Sequence, residues 1–266
     1  MRQKVCVVLQ LVLAAACVKS AHAQTPAAHR DAQAVQIVQS ALAYLTPASQ
    51  GGQAVPIQDS MVQGTCTLQS QGNSASPQFA FLWMTQGPEF RYDSTASSQT
   101  VSMRSGHGNP VTMTSSATNP LSPATAAASL PYHMPAVVLS EDVGNLSFGI
   151  LSRGTSTKFA QATANVVDIV QLAGTAPMPS TRQRWYFASG TNQPIAVEYE
   201  TPAESSPANH VHMLLTYSGF APQPSGSVTP TGVAISSPVT TSNCTATSTQ
   251  LNTSPAPSAF DASGAN

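Results

Sequence analysis

Residues 182 to 220, RQRWYFASGTNQPIAVEYETPAESSPANHVHMLLTYSGF, alternate apolar and polar side chains through three consecutive runs. Trp185 and Phe187 share one side of the first run. Ile195, Val197 and Tyr199 share one side of the second, and Val211, Met213, Leu215 and Tyr217 one side of the third. A period of two over such lengths is that of β-strands burying a single face. Arg184, Glu198, Glu200, His210 and His212 fall on the opposite, solvated side. Gly190-Thr191-Asn192 marks one turn and residues 202 to 209 a second loop. Connections this short make the strands an antiparallel meander, because parallel pairing needs long crossovers. A sheet with one apolar face must have that face covered, and the covering decides what the chain can do.

The rest of the chain supplies both sheet and cover. From Asp31, read as a helix N-cap, Val35, Val38, Leu42 and Leu45 recur at helical spacing until Pro47. Strands are expected over residues 57–68, 78–85, 89–93 and 100–103, then 147–151, 166–172 and, last, 233–235. On the first of these Ser60, Val62, Gly64, Cys66 and Leu68 share a face. Residues 105 to 131 lose their periodicity and read as a long loop or a loosely formed helix, and a loop of that length is suspected of function. Residues 135–143, with proline in the first turn, predict a short helix. The fold class expected is α+β: a curved antiparallel sheet covered by helices, in a single domain spanning 31–235.

The ends read differently. Residues 1–23 fit a secretory signal: Arg2 and Lys4, a short apolar run to Cys17, then Ala21-His22-Ala23 before a cleavage point. A second reading of that end takes Ala14-Ala15-Ala16-Cys17 as a lipobox, leaving Cys17 as a lipid anchor. No other segment is apolar over the roughly 20 residues a spanning helix needs. Residues 24–30 are expected to be a flexible leader. Residues 236–266, rich in Ser, Thr and Pro, are expected to be a disordered tail, since they offer little apolar surface to offset ordering entropy. The setting implied is the periplasm or the extracellular space.

Only 8% of the chain is charged, against about 25% in an ordinary soluble domain. Beyond residue 23 seven basic residues face all eleven acidic ones, a formal charge of −4. Such a composition has no basic footprint for nucleic acid or anionic lipid. The same region keeps only Cys66 and Cys244. In an oxidising compartment they form a disulfide worth about 4–5 kcal/mol by chain entropy, or Cys66 is a small buried apolar residue and Cys244 a free thiol.

Reaction chemistry finds no support. The chain has no nucleophile elbow, P-loop, dinucleotide fingerprint or H-E-x-x-H. His210-x-His212 puts two imidazoles on one strand face, but two ligands do not make a metal site. Glu198 and Glu200 read as a solvated face, and Glu141 and Asp142 have no evident partner. His107 and His133 read as loop and cap residues. No catalytic residue, metal or cofactor is expected. The large side chains either pack a core or line an apolar cavity, and the lining would come from Trp83, Trp185, Phe187, Val197, Tyr199, Met213 and Leu215.

The run WYFASGTNQPIAVEYE, then VHMLLTYSGF, then Gly232-Val233-Ala234-Ile235 with Pro238 beyond, resembles the LolA-like superfamily of bacterial envelope proteins. The resemblance is specific over about 60 residues, by the fit of strand and turn pattern. It implies an unclosed β-barrel whose concave apolar face is covered by helices, LPYHMPAVVLSEDV among them, and whose members bind lipoprotein acyl chains or other lipids. No functional residue transfers by identity; only the apolar face does. The reading is thus an exported, non-enzymatic envelope protein holding an apolar or lipid-like ligand. The alternative is a non-catalytic envelope or cell-surface interaction module with a packed core and protein partners. A hydrolase ranks third.

Overall fold

The structure is a computed structural model that describes residues 29–47, 56–70, 76–97, 99–106, 112–114, 129–159, 163–171, 182–203 and 206–261. The proposed signal, the Cys17 anchor, His107 and most of the 105–131 segment lie outside these residues. Helix α1 spans Ala32–Leu45 and begins where expected: Asp31 Oδ1 accepts from the amides of Gln33 (2.8 Å) and Ala34 (3.4 Å). That satisfies two of the donors that a helix start leaves open. Ala34, Ile37, Val38, Ala41 and Leu45 form its buried stripe.

Twelve strands follow among the described residues. Strands β1 (Asp59–Ser70), β2 (Gln78–Gln86), β3 (Glu89–Ala96), β4 (Gln99–Ser105) and β5 (Thr112–Thr114) step outward as a meander. The chain then crosses over through a 3-10 turn (Leu130–His133) and helix α2 (Pro135–Gly144) to the far edge. From there β6 (Phe148–Ser156), β7 (Ala164–Gln171), β8 (Arg182–Ala188) and β9 (Pro194–Ala203) step back. Strands β10 (Ser206–Pro222), β11 (Val228–Ser236) and β12 (Thr240–Leu251) complete the return, and β12 pairs with β1. The order is β5-β4-β3-β2-β1-β12-β11-β10-β9-β8-β7-β6, antiparallel throughout and curved without closing. The α+β half-barrel expected of the sequence is the fold observed.

Two expectations are corrected. The segment after residue 236 is not a disordered tail: β12 sits at the centre of the sheet between β1 and β11. Its backbone is paired with β1 along its length and with β11 over Thr241–Thr245, so it needs few large side chains to be held. Beyond it, Asp59 accepts from the amides of Thr253 and Ser254, and Phe260, in a 3-10 turn, is buried. At the other end, His29 and Arg30 are not a free leader. The His29 carbonyl accepts from the Ile150 amide and the Asp31 amide donates to the Ile150 carbonyl, which extends the β6 edge.

One face of the sheet is apolar and concave under the crossover. Along one register row, Phe79, Cys66, Cys244, Val233 and Tyr217 lie side by side on five strands. Cys66 and Cys244 are joined as a disulfide between the first strand and the last. Helices α1 and α2 pack over β6–β11 as the larger core cluster. Leu130 and Met134 reach over β1–β4 and β12 in the smaller one.

Candidate functional site

The seven residues expected to line a cavity all lie buried on the concave face. Trp185, Phe187, Val197, Tyr199, Met213 and Leu215 belong to the larger cluster, and Trp83 to the smaller. The row Val167, Trp185, Val197, Leu215, Ile235 runs straight across five strands. Trp185 stacks on Phe187 (6.0 Å between centroids) and on Tyr217 (6.4 Å). Side chains two apart on a strand, and residues opposite in register, must share a face, so the alternation alone assembles this wall.

The crossover is fastened to the wall by aromatic side chains. Tyr132 inserts its ring 4.3 Å from that of Tyr199 and 5.9 Å from that of Trp185. Tyr199 Oη donates to Ser129 Oγ (2.7 Å), and Tyr217 Oη donates to the Tyr132 carbonyl (2.6 Å). Both phenols are held protonated by burial. Residues 129 to 144 thus form a strap, and Tyr132 fills the ground between strap and sheet.

Two gaps of about 10 Å³ each remain along the seam between the two clusters. Each has room for about one water, against about 300–1,000 Å³ in pockets for small molecules. Phe81, His133 and Cys244 border both gaps. His133 lies against Trp83, with ring centroids 5.2 Å apart, and burial lowers its pKa to about 4, so it is neutral. Its Nδ1 and Trp83 Nε1 have no hydrogen-bond partner among the described residues. His133, read from the sequence as a cap, is a half-buried part of the strap whose ring lies against Trp83.

Asp142 on α2 is fully buried, and neither carboxylate oxygen has a well-formed hydrogen bond among the described residues. Burial first, and Glu141 second, raise its pKa to about 8, with Gln183 and Arg30 pulling weakly the other way. It is therefore a neutral acid at pH 7. Gln183 spends its Oε1 on Trp185 Nε1 (2.7 Å).

The opposite face of β6–β9 departs from the solvated surface expected. Leu151, Asp168, Arg184, Glu198 and Leu214 form one register row. Asp168 is fully buried and accepts from Arg184 Nε (2.7 Å) and Nη2 (3.1 Å), Arg153 Nε (2.8 Å) and Arg182 Nη2 (3.0 Å). Burial alone would raise its pKa; the bonds from Arg184, Arg153 and Arg182 outweigh that and hold it at about 2. Glu198, also buried, is paired with Lys158, and Phe159 lies edge-on to Tyr186. His210 and His212 are exposed, with His210 Nδ1 4.0 Å from Glu200. Among the described residues no three His, Cys, Asp or Glu side chains gather as metal ligands.

A half-barrel with an apolar hollow and a helical strap defines a class of fold, and solved structures share it. A DUF1329 family protein from Desulfovibrio piger superposes with a TM-score of 0.50 at 12% identity, over 86% of this chain and 95% of that one. A LolA superfamily protein from Nitrosomonas europaea superposes at 0.51 with 10% identity, over 86% and 97%. At such identities the likeness is one of fold, and it extends the resemblance read from residues 180–240 to most of the chain. Neither a family model nor a curated protein matches the sequence.

Sequence reasoning missed the plug, the buried acid and the ionic row. Ser129 sits in the stretch without periodicity, and Tyr132 just beyond it, ahead of the helix expected over residues 135–143. The partners of Asp168 lie 14 to 16 residues away and meet it only through strand pairing. β12 did carry a signal: Thr240, Thr241, Thr245, Thr247 and Thr249 are β-branched residues suited to strands.

Proposed function

We propose that this is an exported, non-enzymatic envelope protein that shelters an apolar or lipid-like group on its concave face. The observation that carries the reading is the apolar wall running unbroken from β7 to β11, covered by a crossing of the chain rather than by a second sheet. Such a cover can lift without breaking strand pairing. The fold shared with a LolA superfamily structure supports the same reading. In the closed form Tyr132 occupies the ligand's ground, so an acyl chain enters as the strap moves and the ring leaves. Residues 1–23 are the export signal in this proposal, with Cys17 as the anchor if that end is lipidated instead. The folded domain includes residues 29–30, which extend the β6 edge, and β12.

The test is titration of delipidated protein with a fluorescent fatty acid, following quenching of Trp185 and Trp83. Stoichiometric binding, weakened by Leu215→Trp in the wall, is the expected result. No binding at any probe concentration sinks the proposal. The small volume of the two gaps favours a second reading, an interaction module whose core is permanently filled. Capture of an envelope protein by the delipidated chain, with no probe binding, would select it.

A further inference from the structure

We propose that the outer face of β6–β8 is a docking surface for anionic lipid headgroups, made by Arg153, Lys158, Arg182 and Arg184. The proposal reverses the expectation that the chain has no basic footprint for anionic lipid: the sequence disperses these cations over 32 positions of a weakly charged chain, and the register of three strands and one hairpin gathers them. They are four of the seven basic residues beyond residue 23. Their side chains stay 49%, 47%, 58% and 35% exposed, in that order of residue number. They are also held in place. Asp168, wholly buried, clamps three guanidinium groups from below, and Arg153 gives it only Nε, so its terminal nitrogens remain for another acceptor.

The charge count favours an anion. Asp168 and Glu198 are two carboxylates against four cations, and Glu200, two residues along β9, is turned toward His210. The neighbouring stretches 160–162 and 172–181 contain no charged residue. Three like charges on one carboxylate repel one another, and bound phosphates relieve that cost. Shape then selects the partner. The outer face of a curved sheet encloses no pocket, so it fits a flat array of anions and not one compact ligand. On the other half of the sheet that face is occupied: Phe260 packs beside Gly106, and Arg104 donates to the Asp261 carbonyl. On the cationic half, among the described residues, Phe159 packs on Tyr186 while the four cations stay exposed, so this half is the one that can lie on a bilayer, with the strap turned away. This inference does not depend on what the concave face holds.

The experiment is co-sedimentation of the protein, purified as its own cell processes it, with two kinds of vesicle. One contains phosphatidylglycerol in phosphatidylcholine, the other phosphatidylcholine alone. Binding only to the first, abolished by high salt, is expected. An Arg153→Ala/Arg182→Ala variant keeps Arg184 on Asp168 and should bind about 30-fold more weakly. The Arg153→Lys/Arg182→Lys variant should bind as the parent does, and circular dichroism of all three should coincide. Equal binding to both vesicles, no binding to either, or an alanine variant that binds like the parent overturns the proposal. So does competition by soluble polyglutamate at equal charge, which would assign the face to an acidic protein.

Discussion

Cys66 and Cys244 lie directly opposite one another on β1 and β12, with Cα atoms 4.0 Å apart, and their disulfide closes 178 residues of chain. Among the described strands, the bond joins the one adjacent pair that comes from opposite ends of the fold. It therefore fastens the outward meander to the returning one at the middle of the sheet.

Replacing both cysteines with alanine should lower unfolding stability by about 4–5 kcal/mol, the chain-entropy cost of releasing so long a loop. Denaturant unfolding with and without reductant measures it. The parent should fall to the variant's midpoint when reduced, while the variant should not respond to reductant.

Asp142 sets a pH dependence of the opposite kind from that of most carboxylates. Its folded pKa is raised to about 8 from 3.8. Its stabilising protonated form is complete below about pH 4 and is lost as pH rises toward about 8, where burial of the charge opposes folding. Asp142→Asn should remove that slope and melt higher than the parent at pH 7 and above. Thermal melts across that window decide it, and parallel curves for the two proteins would show that Asp142 reaches water.

Asp168 behaves conversely. Its folded pKa is depressed to about 2 from 3.8, so its contribution is present above about pH 4 and is lost as pH falls toward 2. Asp168→Asn should cost about 2 kcal/mol at neutral pH, the scale of hydrogen bonds to a charged group. The cost should vanish at the acid end. Urea titrations at several pH values provide the measurement.

The hydroxyls of Tyr199 and Tyr217 should govern how readily the strap lifts. Tyr199→Phe and Tyr217→Phe each remove one buried hydrogen bond, at about 1 kcal/mol apiece. Amide exchange of residues 129–144 should quicken by about fivefold in each variant, from the same energy. Exchange in β7–β11 should stay unchanged. Unaltered exchange in the strap would show that ring packing by Tyr132 alone holds it down.

Local patterning was enough to place most of the described strands and the two described helices. Trp185, Val197, Tyr199, Met213 and Leu215 share a face because side chains on a strand alternate, and Asp31 caps α1 because the residues after it are periodic. β12 escaped because its stability comes from two neighbours and not from its own side chains. Ser242 and Cys244 are buried there against Val233, Ile235 and Leu68 of the neighbouring strands, while β12 itself carries no large apolar residue before Leu251. The sequence reads His133 as a cap and finds no partner for Asp142, because nothing in their neighbourhood along the chain says what packs against them.

The amino-acid order by itself determined that this chain makes a one-faced antiparallel sheet, because a period of two can bury only one side. It determined too that the sheet is poor in charge and carries two cysteines able to pair. Tertiary structure alone decided that the last strand returns to the first, that Tyr132 fills the hollow, and that four cations meet around Asp168. Each of these depends on register between strands and on the path of a crossover. Contacts between residues tens of positions apart are set by the packing of the whole sheet and leave no mark in local periodicity.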